Sequence, residues 1–195
     1  MSPTLERQHM DYRFSDNFEK LHGISHRVAD DAEAAAEIAR ICRHKQARCV
    51  ALAGLPPRLA ELIEESCGPD VEILKEPYPS GSLPLAIDRA DIGVTAMAFA
   101  IAQSGTMVEV SENDAIRLTS SLPATHIGLI YEPDIIDKYF DASARIREII
   151  NSRGENVVIS FISGPSRTGD IELKLTLGVH GPEEAHAVII SHRHD

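Results

Sequence analysis

The residue types best suited to chemistry lie in one run, Ser163-Gly164-Pro165-Ser166-Arg167-Thr168-Gly169-Asp170-Ile171-Glu172. Backbone N–H groups beside its two glycines, with the hydroxyls of Ser163, Ser166 and Thr168, are the kind of donors that hold carboxylate or phosphate oxygens. Arg167 adds a planar double donor suited to a carboxylate. Asp170 either holds a ligand hydroxyl or caps the loop. Ser104-Gly105-Thr106 repeats the pairing of glycine with hydroxyls. The two loops are expected to lie together as one anion pocket, beyond the carboxyl ends of parallel strands, where open α/β sheets bind ligands. Arg117 is a second cation, with Glu112 and Asp114 as near acidic partners. His126 and His180 are the histidines in motif-like surroundings, and imidazole suits a proton acceptor near neutral pH. Each of these residues also has a plain structural reading. A histidine ahead of a strand serves as a hydrogen-bonding residue, and Arg167 pairs with Asp170 or Glu172 on the surface.

Two further stretches join them: Ala90-Asp91-Ile92-Gly93-Val94-Thr95, running on to Ile101-Ala102-Gln103-Ser104-Gly105-Thr106, and Gly178-Val179-His180-Gly181-Pro182. In this order the motifs resemble those of the LUD-domain family, from about residue 18 to residue 191. The resemblance implies a sheet fold like that of ribose-phosphate isomerase and CoA transferases. It also implies a part in oxidising L-lactate to pyruvate beside iron–sulfur partner proteins, with the clusters on those partner subunits and no cofactor in this chain. Two positions depart from the family pattern: Gln103 stands where Glu is expected, and Gly169 where Ala is expected.

The sequence lacks a Walker phosphate loop, the spaced dinucleotide glycines, a helical His-Glu-x-x-His and a Gly-x-Ser-x-Gly elbow. Two readings stay open beside the lactate-utilisation component. One is a free-standing enzyme for a small carboxylate, phosphosugar or CoA ester; the other is a folate-type cyclo-ligase relative, which no motif supports. The chemical step itself is unassigned.

A net charge of −11 argues against a nucleic-acid partner, which calls for clustered Lys and Arg. The three cysteines, Cys42, Cys49 and Cys67, are odd in number and have no Cys-x-x-Cys spacing, so neither a disulfide framework nor an iron–sulfur cluster site is indicated, and no metal site is expected. No run is apolar and long enough to span a bilayer, and no signal peptide opens the chain, so a cytoplasmic protein is expected, as a monomer or homo-oligomer.

The positioning elements follow from hydrophobic periodicity. A length of 195 residues with 43% hydrophobic content suits one domain with a real core. Residues 1–17 read as a flexible polar arm, and 18–195 as a single α/β domain. Ala35, Ile38, Ala39 and Cys42 recur at helical spacing, and residues 49–53, 71–74, 92–95 and 127–130 read as short buried strands. Strands alternating with helices predict a Rossmann-like open, mostly parallel sheet flanked by helices. Three further helices are expected: a short one over 97–102, a long one from Pro133 to Asn151, and one opened by the Gly164-Pro165-Ser166 loop. Protein expressed alone is expected to be colourless; stoichiometric iron and sulfide, or a tightly bound flavin, in its absorbance and metal analysis would overturn this.

Overall fold

The computed structural model describes residues 3–79, 81–153, 156–169, 175–177 and 180–192. Along the chain run α1 (Pro3–Lys20), β1 (Ile24–Val28), α2 (Asp31–Lys45), β2 (Cys49–Ala53), α3 (Pro57–Cys67), β3 (Glu72–Lys75), α4 (Leu85–Asp88), β4 (Ile92–Ala96), β5 (Phe99–Ile101) and β6 (Thr106–Ser111). After them come α5 (Asp114–Ser121), β7 (Thr125–Tyr131), β8 (Ile135–Ile136), α6 (Ala142–Arg153), β9 (Val158–Ile162), β10 (Arg167–Gly169), β11 (Leu175–Leu177) and β12 (Glu184–Ile190).

Six strands form the expected parallel sheet, in the order β1–β12–β7–β4–β2–β3. Side chains alternate across a strand. Val50, Leu52, Ile92, Val94, Ile127 and Leu129 therefore share one face, where α2 and α3 cover them with Ala34, Ile38, Cys42, Leu59 and Ile63. Helix α2 starts on Asp30, whose carboxylate accepts from the Glu33 N–H at 2.9 Å, and carries Arg43, His44 and Lys45 in its last turn. Those charges suit the two ends of its dipole.

The opposite face carries a second sheet, β8–β5–β6–β9, in which β6 runs antiparallel to both neighbours. Met107 and Ala100 point from it into the space between the sheets, toward Ile130, Ala187 and Ile189. Phe99, Ile101 and Val108 point the other way, under Ala142, Ile146 and Ile149 of α6. The expected helix over 97–102 is thus replaced by the short strand Phe99–Ile101. Pairing also overrides the long helix expected from Pro133: the amides of Ala102 and Gln103 donate to the carbonyls of Ile136 and Asp137, holding this stretch extended. Helix α6 begins only at Ala142, and Phe140 is 84% exposed. After Ser166 the chain enters an antiparallel ribbon, with Arg167–Gly169 of β10 paired to Leu175–Leu177 of β11 where the loop is expected to open a helix; residues 170–174, onto which that helix would run, lie outside the described residues.

The flexible arm expected over residues 1–17 is helical from Pro3. Phe14 and Phe18 stack at 5.5 Å between ring centroids and are fully buried among Met97, Met107 and Ile130. Arg13 pairs with Asp137. Two buried aromatic rings outweigh the polar composition of the segment. Phe14→Ala should cost about 3–5 kcal/mol, read as a fall in the urea midpoint; an unchanged midpoint would show that α1 is not part of the core.

Candidate functional site

The antiparallel register of β6 and β9 sets Met107 opposite Ile162, which brings the two hydroxyl-bearing loops side by side. Thr106 Oγ1 lies 2.8 Å from Ser163 Oγ and 2.8 Å from Ser104 Oγ. Thr106 is buried, and these hydroxyls satisfy one another. The glycines beside them face the end of α1. At Gly105, with φ of +58°, a Cβ would lie 2.3 Å from the Phe18 amide nitrogen; at Gly164, with φ of +86°, it would lie 2.3 Å from the Leu21 carbonyl oxygen. Only glycine permits both the backbone angle and the approach. Asn17 completes this junction by donating from Nδ2 to the Ala102 carbonyl at 2.9 Å.

A cavity of about 480 Å³ opens beside these loops, within the range of small-molecule sites. It is lined by Ser163, Gly164, Ser166 and Arg167 from the loop after β9, by Arg117 and Ser120 from α5, and by His126 and His180. Ser104, Gly105 and Thr106 stand behind Ser163 and are not among the lining residues. Thr168 belongs to β10, and its side chain, like the whole of Asp170, lies outside the described residues. The cavity sits at the amino ends of β7 and β12, not at the carboxyl side of the parallel sheet as expected. The reason is that β9 belongs to the antiparallel sheet, so its carboxyl end points back over the start of β7.

Two hydrogen bonds keep the loop over the cavity: Ser166 N donates to the Pro182 carbonyl at 2.8 Å, and Arg167 Nη2 donates to the Ser163 carbonyl at 3.3 Å. Arg117 pairs with Asp114 on its own helix. His180 is exposed at the mouth. Asp91 is occupied as a cap, accepting from the amides of Arg48 and Cys49 at 2.7 and 3.0 Å. Gln103 accepts from the Tyr139 amide at 3.0 Å, outside the cavity lining.

Behind the cavity lies a buried polar chain that the sequence reading missed. Glu109, fully buried on the inward face of β6, accepts from Thr95 Oγ1 at 3.2 Å, Ser111 Oγ at 3.0 Å and Ser120 Oγ at 3.1 Å. Burial raises its pKa, while the three hydroxyls and Arg117 work against the rise. Thr95 Oγ1 is also 2.9 Å from His126 Nε2. With the Thr95 hydrogen given to Glu109, the hydrogen of this second contact must come from His126 Nε2, which leaves Nδ1 as a bare acceptor. That Nδ1 is buried and has no hydrogen-bond partner among the described residues. Burial, and secondarily the charge on His186, lowers the His126 pKa to about 3, so the ring is neutral at physiological pH. The one sequence signal for this chain was a glutamate inside the apolar run 106–110.

Among the described residues no group of three or more His, Cys, Asp or Glu is placed to hold a metal ion, and no helix is long and apolar enough to cross a membrane. The match to the LUD domain covers residues 12–190, and the chain belongs to that family. Proteins named lactate utilization protein C from Anoxybacillus flavithermus and Bacillus subtilis are 39% and 37% identical to it, over 108 and 107 residues. The aligned parts are 55% and 54% of this chain but 47% and 45% of those proteins, so the chain spans about half the length of the curated relatives it matches. The crystal structure of a DUF162 family protein from Deinococcus radiodurans superposes with a TM-score of 0.67 at 21% identity, covering 95% of this chain and 98% of that one. That likeness establishes the fold, in agreement with the mostly parallel α/β sheet expected.

The lowered His126 pKa has a consequence for stability. Between pH 6.5 and 3 the unfolded chain takes up a proton at this position that the folded chain refuses, so the stability is whole above pH 6.5 and is lost as pH falls toward 3. His186, lowered to about 4 mainly by burial, acts in the same direction. His126→Gln, which keeps a donor for Thr95, should flatten part of the acid limb of a urea-midpoint-against-pH curve; an unchanged limb would count against a neutral buried imidazole.

Proposed function

We propose that this chain is a component of an L-lactate utilisation system, and that its cavity holds the small 2-hydroxy acid. The names of its curated relatives support the first half, and the resemblance of its motifs suggests oxidation to pyruvate. The observation that carries the second half is that His126, whose buried Nδ1 has no hydrogen-bond partner among the described residues, lines the cavity that also presents Arg167. A 2-hydroxycarboxylate matches both groups: its carboxylate suits the Arg167 guanidinium, and its hydroxyl can donate to Nδ1. Arg117, already paired with Asp114, adds positive charge to the same wall.

Oxidation of lactate to pyruvate releases two electrons and two protons. In this reading His126 Nδ1 accepts the hydrogen bond of the hydroxyl and orients the substrate, Glu109 acts through Thr95 to hold the ring in the tautomer that can accept it, and both electrons pass to iron–sulfur partner proteins in the cytoplasm while both protons are released to solvent. This chain's own residues bind and orient the acid.

Calorimetry at low salt with L-lactate and propionate tests the site. L-Lactate should bind about tenfold more tightly, because propionate leaves the buried acceptor unpaired. Arg167→Ala should weaken both ligands by about 1.5–3 kcal/mol, the worth of a hydrogen bond to a charged group. His126→Gln should erase the preference for lactate. Equal affinities in the native chain, or unaltered affinity in Arg167→Ala, would end this reading.

A further inference from the structure

Cys42 and Cys67 lie on the far side of the parallel sheet from the cavity, where α2 packs on α3. Both are free thiols, and their sulfurs are 4.0 Å apart. Cys42 is 2% exposed, while Cys67 is half-buried and ends α3. The next residue, Gly68, has φ of +78° and nothing within 4 Å of where a Cβ would stand. A disulfide requires sulfurs about 2.05 Å apart, so forming one asks the chain to close the remaining gap. The end of a helix beside an open glycine is where backbone can move to do so.

The two thiols differ in character. The hydrogen bond with Cys42 holds Cys67 below the ordinary thiol range, burial opposes this, and Arg43 reinforces it. The same contact and burial push Cys42 up. Cys67 is therefore both the more accessible sulfur and the more readily ionised one, and the thiolate is the reactive form. Cys49, the third cysteine, is buried on the other face of the sheet among Ala51, Ile87 and Ala115.

We propose that Cys42 and Cys67 form a peroxide-reactive dithiol. The Cys67 thiolate attacks one oxygen of a hydroperoxide, the O–O bond breaks, and the other oxygen leaves as water or an alcohol after taking a proton. Cys67 is now a sulfenic acid. The Cys42 sulfur then attacks Cys67 Sγ, the S–O bond breaks, and the departing hydroxide leaves as water with the Cys42 proton. Two thiols are oxidised to one disulfide, and one hydroperoxide is reduced. The product ties α2 to the end of α3 across a separation of 25 residues.

The test treats the reduced chain with one equivalent of hydrogen peroxide, blocks remaining thiols with N-ethylmaleimide, and reads intact mass and linked peptides. The expected product is a monomer with a Cys42–Cys67 peptide link and one blocked thiol, Cys49, and dithiothreitol reverses it. Cys42→Ala, which removes the hydrogen bond that lowers Cys67, should react more slowly than the native chain but stop at a Cys67 sulfenic acid that dimedone traps. Cys67→Ser should form no disulfide and leave Cys42 reduced. As a change at a half-buried helix end, it also keeps the test intact should Cys42→Ala fail to fold by circular dichroism. Cys49→Ser should form the link as the native chain does. Oxidation of Cys67 to sulfinic acid without linkage in the native chain, a link through Cys49 or between chains, or oxidation of Cys42 in Cys67→Ser would each overturn the proposal.

Discussion

Glu109 sits fully buried between two sheets, and the arrangement around the cavity follows from what that burial demands. A carboxylate removed from water must be surrounded by donors. Those donors come from three separate elements: Thr95 from β4, Ser111 from β6 itself and Ser120 from α5. Meeting the demand ties α5 to both sheets and leaves the Thr95 oxygen as the acceptor for His126. A structural requirement in the core thereby sets the hydrogen on one imidazole nitrogen and bares the other. An apolar residue at position 109 would remove the demand and, with it, the reason for His126 to hold one tautomer.

The second constraint is closeness. Gly93 lies where a Cβ would come within 1.9 Å of the Thr119 carbonyl oxygen, so α5 rests directly on β4. Gly105 and Gly164 do the same for the end of α1. The motifs that suggested ligand loops thus divide their labour. Asp91 caps amides at the start of β2, Gly93 admits α5, and Thr95 joins the buried chain. In the other two loops the glycines admit α1, while Ser166 and Arg167 line the cavity. Glycine beside hydroxyl is a sequence pattern shared by anion loops and by tight backbone packing, and at Gly105 and Gly164 the contacts are those of tight packing.

What could be read from the sequence follows from how local each signal is. Helix α2 was legible because one covered face leaves a 3.6-residue period, and the parallel strands because apolar runs of five residues sit between turn residues. Strand β5 was not, because Phe99 and Ile101 bury on one side and Ala100 on the other, which erases the alternation. The false helix from Pro133 rested on isoleucines that match helical spacing but belong to a two-residue strand and a separate helix. The polar composition of the first residues concealed Phe14, whose partners Met97 and Ile130 lie far along the chain. His126 was singled out on its surroundings alone. Its partner Thr95 is 31 residues earlier, and nothing local announces the pairing.

The direction of β9 moves the cavity away from the usual place in an open α/β sheet. Parallel strands gather loops at their carboxyl ends because each crossover helix begins there. In this chain an antiparallel sheet is laid over one face of the parallel one, and the direction of β9 returns its loop to the amino ends of β7 and β12. The residues facing that loop are then the first ones of each strand, His126 and Ala185, together with the last turn of α5. A strand's first residues are held by pairing on both sides, as His126 is between Gly93 and Ala185. The imidazole is therefore presented from rigid sheet, while Arg167 stands across the cavity at the start of the β10–β11 ribbon.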